Sequence, residues 1–132
     1  MKRQRATVIV EIDQHILLVE NRGGQLLLPG GGINSNESGL QAAARELAEE
    51  TGLIAESMCF LFAYESPWNH HNVFWAAAPG QPVAGDDATA LHFYACRDPS
   101  LLARMSPATR YIVDRFLDRS KPESVEFPML RA

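Results

Sequence analysis

Apolar and polar residues alternate from position 5 to 12, with Val8 and Val10 on one face, which predicts a β-strand. Asp13-Gln14 predicts a tight turn. Positions 15–20, carrying Ile16, Leu17, Leu18 and Val19, predict the returning strand. Asn21-Arg22-Gly23-Gly24 marks the next turn, and positions 25–28 form a short strand that runs into Pro29-Gly30-Gly31-Gly32, read as a flexible loop. A helix is expected to start near Glu37 or Ser38 and to run to about Thr51. Leu40, Ala43, Ala44 and Leu47 give it an apolar stripe, and Gly52 a left-handed stop. Positions 57–65 and 72–78 predict strands separated by a loop at 66–71. Positions 79–87 are rich in Pro, Gly and Asp and read as a loop, with a last strand at 89–96. Ser106-Pro107 opens a final helix, with serine as cap and proline in the first turn, and Tyr111, Ile112, Phe116 and Leu117 as its apolar face. Strands mixed with two helices place the chain in the α/β class, as an α/β/α sandwich around a mixed β-sheet.

Length and composition narrow this picture. The chain has 132 residues, enough for one domain with a sizeable core. Positions 1–120 read as that single domain and 121–132 as a tail, loose or at a subunit contact. Apolar content of 46% and charged content of 21% are ordinary for a soluble globule. No apolar run is long enough for a membrane span, and the basic start Met1-Lys2-Arg3-Gln4-Arg5 lacks the apolar core of a signal peptide. Cys59 and Cys96 sit in apolar surroundings and are expected to be buried and reduced, which points to the cytoplasm. A net charge of −4 argues against attraction to nucleic-acid polymers or acidic membranes. An acidic protein can still act on phosphate esters if metal ions invert its local charge.

The chemistry concentrates between positions 30 and 53. Glu46, Glu49 and Glu50 stand three and four apart, so their carboxylates share one helical face. Like charges so placed repel, and a cation set over them would turn repulsion into attraction; hard oxygen ligands favour magnesium or manganese. The glycines before the helix let backbone approach a ligand with no Cβ in the way. Neither common phosphate loop fits: G-K-[ST] is absent, and Ser35 stands where G-x-G-x-x-G needs its third glycine.

Residues 31–53 resemble the Nudix box, G-x5-E-x7-R-E-U-x-E-E-x-G-U with U aliphatic. They match at every specified position, from Gly31 through Glu37, Arg45, Glu46, Leu47, Glu49, Glu50, Gly52 and Leu53. A solvated acidic helix face would explain Glu-Leu-Ala-Glu-Glu alone but not the glycines, Glu37 and Arg45 around it. The resemblance implies the Nudix-type α/β/α sandwich and hydrolysis of a nucleoside diphosphate linked to another moiety, at its pyrophosphate bond. It implies Glu46, Glu49, Glu50 and the Gly30 carbonyl as ligands of Mg²⁺ (Mn²⁺ as the alternative), with Arg45 orienting Glu49. Glu37 supports the loop–helix junction or a second metal, and Gly31 and Gly32 approach the substrate.

The general base is open between Glu46, Glu49 and the loop before the last strand. In that loop Asp86 and Asp87 occupy the place where family members carry an acid, and Asp87 is the candidate; turn residues after Gly85 are the alternative. His15, His70, His71 and His92 have no zinc spacing and read as surface or substrate contacts. Trp68, beside Pro67 in a polar loop, is the candidate for a base-stacking contact. The expected partner is a small nucleotide, with a homodimer compatible with the family. A (deoxy)nucleoside triphosphate or related nucleotide is the favoured substrate. ADP-ribose and nucleotide sugars are the alternative, since Pro67 lies fourteen residues past Leu53, near the ADP-ribose spacing. A non-catalytic nucleotide sensor and an isopentenyl diphosphate isomerase are the rival classes. The first is disfavoured by the intact box and the second also by the short chain.

Overall fold

The computed structural model describes residues 2–119; the expected tail lies outside them. The first hairpin joins β1 (Arg3–Ile12) to β2 (His15–Glu20). Its turn residues Asp13 and Gln14 both have positive φ, 50° and 67°, the tight geometry whose twist suits a two-residue hairpin. The two strands stay paired only at Glu11–Ile16 and Ile12–His15. Beyond that point β1 turns to other partners. It runs parallel to β6 (Asn69–Ala77), from Arg3–Asn69 to Val10–Ala76, and antiparallel to β4 (Gly30–Gly32) on its other edge. β2 pairs antiparallel with β3 (Leu26–Leu27) and β7 (Ala90–Tyr94), while β5 (Ser57–Glu65) pairs antiparallel with β6. One parallel pairing among antiparallel ones makes the sheet mixed.

Side-chain alternation on β1 divides the core in two. Ala6, Val8 and Val10 face a cluster that contains Ala42, Ala43 and Leu47 of helix α1 (Gly39–Thr51). Ile9 faces the other way, into a cluster with Val73 and with Ile112, Val113 and Phe116 of helix α3 (Pro107–Asp118). The result is the expected α/β/α sandwich. Helix α2 (Pro99–Leu102), one turn capped by Asp98, is too short to leave a period in the sequence and was not anticipated.

Several boundaries differ from expectation, each for a physical reason. The glycine loop is partly a strand. Its residues can lie flat on the β1 edge because a Cβ at Gly30 would run into the Ala6 carbonyl and lie 3.0 Å from the Thr7 Cα. The loop before β6 ends at Trp68, since His70 and His71 are already paired with Gln4 and Arg5 on one side and with Glu65 and Tyr64 on the other. The buried side of α1 is Ala42, Ala43, Leu47 and Thr51; Leu40 is 47% exposed and Ala44 only partly covered. Leu40 shares the helical face of Leu47 and Thr51 but stands in the first turn, one residue after the helix begins. On α3, Tyr111 is 46% exposed and stacks on Tyr64 at 4.2 Å, and Val113 takes the core place instead. Both cysteines are free, as expected, but exposed rather than buried: Cys59 lies on the outer strand β5 and Cys96 in a turn with φ of 55°. Among the described residues no helix is long and apolar enough to cross a membrane.

Candidate active site

Helix α1 is pinned at both ends. Ser38 Oγ accepts from the Gln41 amide at 3.0 Å and the Ser38 amide donates to Gln41 Oε1 at 2.8 Å, a reciprocal capping box. At the other end Gly52 takes φ of 74°, a conformation costly for any residue with a Cβ, and its amide donates to the Ala48 carbonyl at 2.9 Å. The 79–89 loop then folds back over this end. Val83 and Gly85 donate to the carbonyls of Thr51 and Glu50 at 2.8 and 2.9 Å, giving partners to groups that a helix leaves open.

The box carboxylates gather along one flank of this fixed helix, against β4. Arg45 is their organiser. It holds Glu37 through two bonds, Nε to Oε2 at 3.0 Å and a second terminal nitrogen to Oε1 at 2.6 Å. Its other terminal nitrogen donates to Glu46 Oε2 at 3.1 Å and Glu49 Oε1 at 3.3 Å, and the guanidinium also reaches the Gly32 carbonyl at 3.1 Å. The bond from Arg45 and a second from the Asn34 amide hold the Glu37 carboxyl below its ordinary pKa; the same pairing raises that of Arg45. Glu37 thus joins the loop to the helix. Gly31 leaves room for the Glu46 carboxylate: a Cβ there would overlap it and push that side chain aside.

Glu50 faces inward. Its Oε1 accepts from the Gly30 amide at 3.1 Å. Burial pushes its pKa up to about 7; the Gly30 bond works against this, the charge of Glu46 adds to it, Arg5 opposes it and Asp86 adds to it. A carboxyl so buried, with other acids near it, has the chemistry of a cation ligand in want of positive charge. The donor set of three carboxylates beside glycine carbonyls fits a hard divalent ion. As they stand, no three Asp, Glu, His or Cys groups among the described residues converge as a closed cage, because Arg45 draws Glu46 and Glu49 to itself. A cation would take over part of what Arg45 now supplies.

The remaining candidates divide. Asp86 is close enough to Glu50 to act on it electrically, whereas Asp87 is exposed and turned to Arg22 at 3.9 Å. Trp68 is in its loop as expected and 80% exposed, but it does not line the neighbouring cleft, whose wall there is Ser66 and Pro67. That cleft, about 340 Å³, opens on the α3 face of the sheet and was not anticipated as a site. Arg5, Thr7 and His71 form its floor. His71 is buried, with Nδ1 3.4 Å from Thr7 Oγ1 and Nε2 3.2 Å from Ser66 Oγ. Burial, helped by the charges of Arg5 and His70, pulls its pKa down to about 4, so it is neutral at pH 7. The signal for this floor lay in the alternation of β1: Arg5 and Thr7 are polar where the opposite face carries Ala6 and Val8.

A mixed sheet between helices, with a glycine edge strand feeding an acid-bearing helix, defines the class. The chain belongs to the NUDIX domain family, whose profile matches residues 1–116. It is similar to a Bacillus subtilis protein provisionally named an 8-oxo-dGTP diphosphatase, with 38% identity over 95 residues, 68% of this chain and 64% of that one. It is also similar to the ADP-ribose pyrophosphatase of Methanocaldococcus jannaschii, with 35% identity over 97 residues, 65% of this chain and 57% of that protein. The match thus spans about three fifths of the length of these curated relatives. Among solved structures, one assigned to the Nudix hydrolases from Chromobacterium violaceum superposes with a TM-score of 0.81 and 32% identity, covering 89% of this chain and 77% of that one.

Proposed function

We propose that the protein is a metal-dependent hydrolase that cleaves the pyrophosphate bond of a nucleoside diphosphate linked to another moiety. The observation that carries this reading is the placement of Glu46, Glu49 and Glu50 along one flank of α1, Glu46 and Glu49 bonded to Arg45 and Glu50 to Gly30 of the glycine strand. Glu46, Glu49 and Glu50, with the Gly30 carbonyl, are the groups to hold Mg²⁺ or Mn²⁺. When bound, such an ion supplies neutralisation of phosphate charge and a lowered pKa for bound water.

The rest falls to the chain itself. Arg45 holds Glu46 and Glu49 on one flank by charge-assisted bonds, from which they can turn to a cation. Glu49, its side chain 43% exposed against 15% for Glu46, is the carboxylate best open to water and the one assigned here as general base. Asp87 is not favoured for that role, because it is turned to Arg22; Asp86 tunes Glu50 instead. Glu37 acts as a support, clamped to Arg45 rather than free for a second ion.

For the substrate we favour a (deoxy)nucleoside triphosphate or related nucleotide, supported by likeness to the relative named for 8-oxo-dGTP. ADP-ribose is the second reading, because a relative of comparable identity bears that name. A panel of nucleoside triphosphates, 8-oxo-dGTP, ADP-ribose and nucleotide sugars with Mg²⁺ and Mn²⁺ tests both. Release of nucleoside monophosphate is expected, and binding of every member without cleavage of any would convert the reading to a sensor.

A further inference from the structure

We propose that Arg5 is a phosphate-binding residue, gripping the substrate's diphosphate from the cleft side while the box carboxylates face it from the other. This rests on the hydrolase reading above for the identity of the anion. Arg5 sits at a junction in the sheet. Its backbone pairs with Gly32 of the glycine strand on one side and with His71 on the other. Its side chain enters the α3-face cleft, of a size common for small-ligand sites.

Two properties mark this guanidinium. Among the described residues it has neither an ion-pair nor a hydrogen-bond partner, although it feels the charges of Glu50 and Glu46. Among the described residues it is also the one charged side chain in the cleft lining, where Thr7, Ser66, Asn69 and the neutral His71 supply only dipoles. Burial and the neighbouring Arg3 lower its pKa, more than Glu50 and Glu46 restore. A partly buried cation without a counter-ion is costly, and a planar fork of donors suits phosphate oxygens. An anion placed there relieves the cost and lies within the electrical reach of the carboxylate cluster.

The test is equilibrium binding of ADP, GDP, adenosine and guanosine by calorimetry, with EDTA present so that no divalent ion contributes. Without a cation in reach, Glu46, Glu49 and Glu50 repel a nucleotide and the nucleosides would bind better. The expected result for the wild type is the reverse, at least one nucleotide binding about tenfold or more tighter than its nucleoside. Arg5→Gln should abolish that preference and leave nucleoside affinity unchanged, and Arg5→Lys should keep part of it. Arg97→Gln, at an exposed ion pair with Asp114, should behave as wild type. A wild type without the preference, no measurable binding of any of the four, or loss through Arg3→Gln and not Arg5→Gln would overturn the proposal. Circular dichroism on each variant separates misfolding from lost recognition. If instead Mg²⁺-dependent hydrolysis survives Glu49→Gln, the reading of the box fails while this comparison stands on its own result.

Discussion

Arg45 distributes its donors over Glu37, Glu46, Glu49 and a backbone carbonyl, so one side chain sets the position of most of the acidic flank. Arg45→Gln keeps the length of the side chain but not the fork, and activity or metal affinity should fall roughly 10–100-fold, as for loss of other ligand-orienting partners. Glu49→Gln and Glu50→Gln should each cost more than about a hundredfold in Mg²⁺-dependent turnover, beyond what an orienting partner is worth. Unfolding curves should show both variants folded, and full activity in both would refute the ligand assignment. His71 gives a separate pH signature. Its folded pKa, about 4, lies below the ordinary value of 6.5, so the unfolded chain takes up the proton first. Stability from this group is present above pH 6.5 and is lost as pH falls toward 4. Denaturant titrations should show that slope in the wild type and a flatter one in His71→Gln.

At the scale of elements, what could be read beforehand was whatever local chemistry decides. Ser106 announced a helix start, Gly52 a stop and Asp13-Gln14 a hairpin, because capping and turn preferences act within a few residues. Most of the box residues were legible for the same reason, since one helix and its entry loop carry them. Pairing between distant strands was not. Nothing near Gly30 says that β1 will offer an edge to it, and nothing near His71 says that β6 extends past it to meet Arg5. Only the β1 part of the cleft left a mark, because the rest of its floor comes from β6 and its wall from the start of α3, far apart in the chain. Two substitutions test elements directly. Ser38→Ala should lower stability by about 1 kcal/mol through loss of the cap, without touching a carboxylate. Gly31→Ala should leave a folded protein with Glu46 displaced and activity reduced, because the new methyl occupies the place of that carboxylate.

The whole molecule couples these parts through charge, and a bound cation should be visible in its stability. Glu50 has a pKa raised from 4.5 to about 7 in the folded state by burial and neighbouring acids. The sign follows from proton uptake: below pH 4.5 the group is neutral folded or unfolded, and as pH rises from 4.5 to 7 the metal-free fold loses stability because the unfolded chain releases this proton while the buried carboxyl keeps it. A divalent ion on the carboxylates reverses that penalty, and it binds only the folded chain, where the ligands are assembled. At a hundredfold excess over its dissociation constant it should add about 2.7 kcal/mol. Below pH 7 the ion must first displace a proton, so the same concentration should stabilise less. Melting with 5 mM EDTA and with excess Mg²⁺, at pH 8 and at pH 6, therefore predicts a Mg²⁺-induced rise in midpoint that is larger at pH 8. The contribution of His71 is common to both samples at each pH and cancels in the difference. In Glu49→Gln the rise should shrink at both values. An equal rise at pH 6 and pH 8 in the wild type would mean that Glu50 is not among the groups the cation meets.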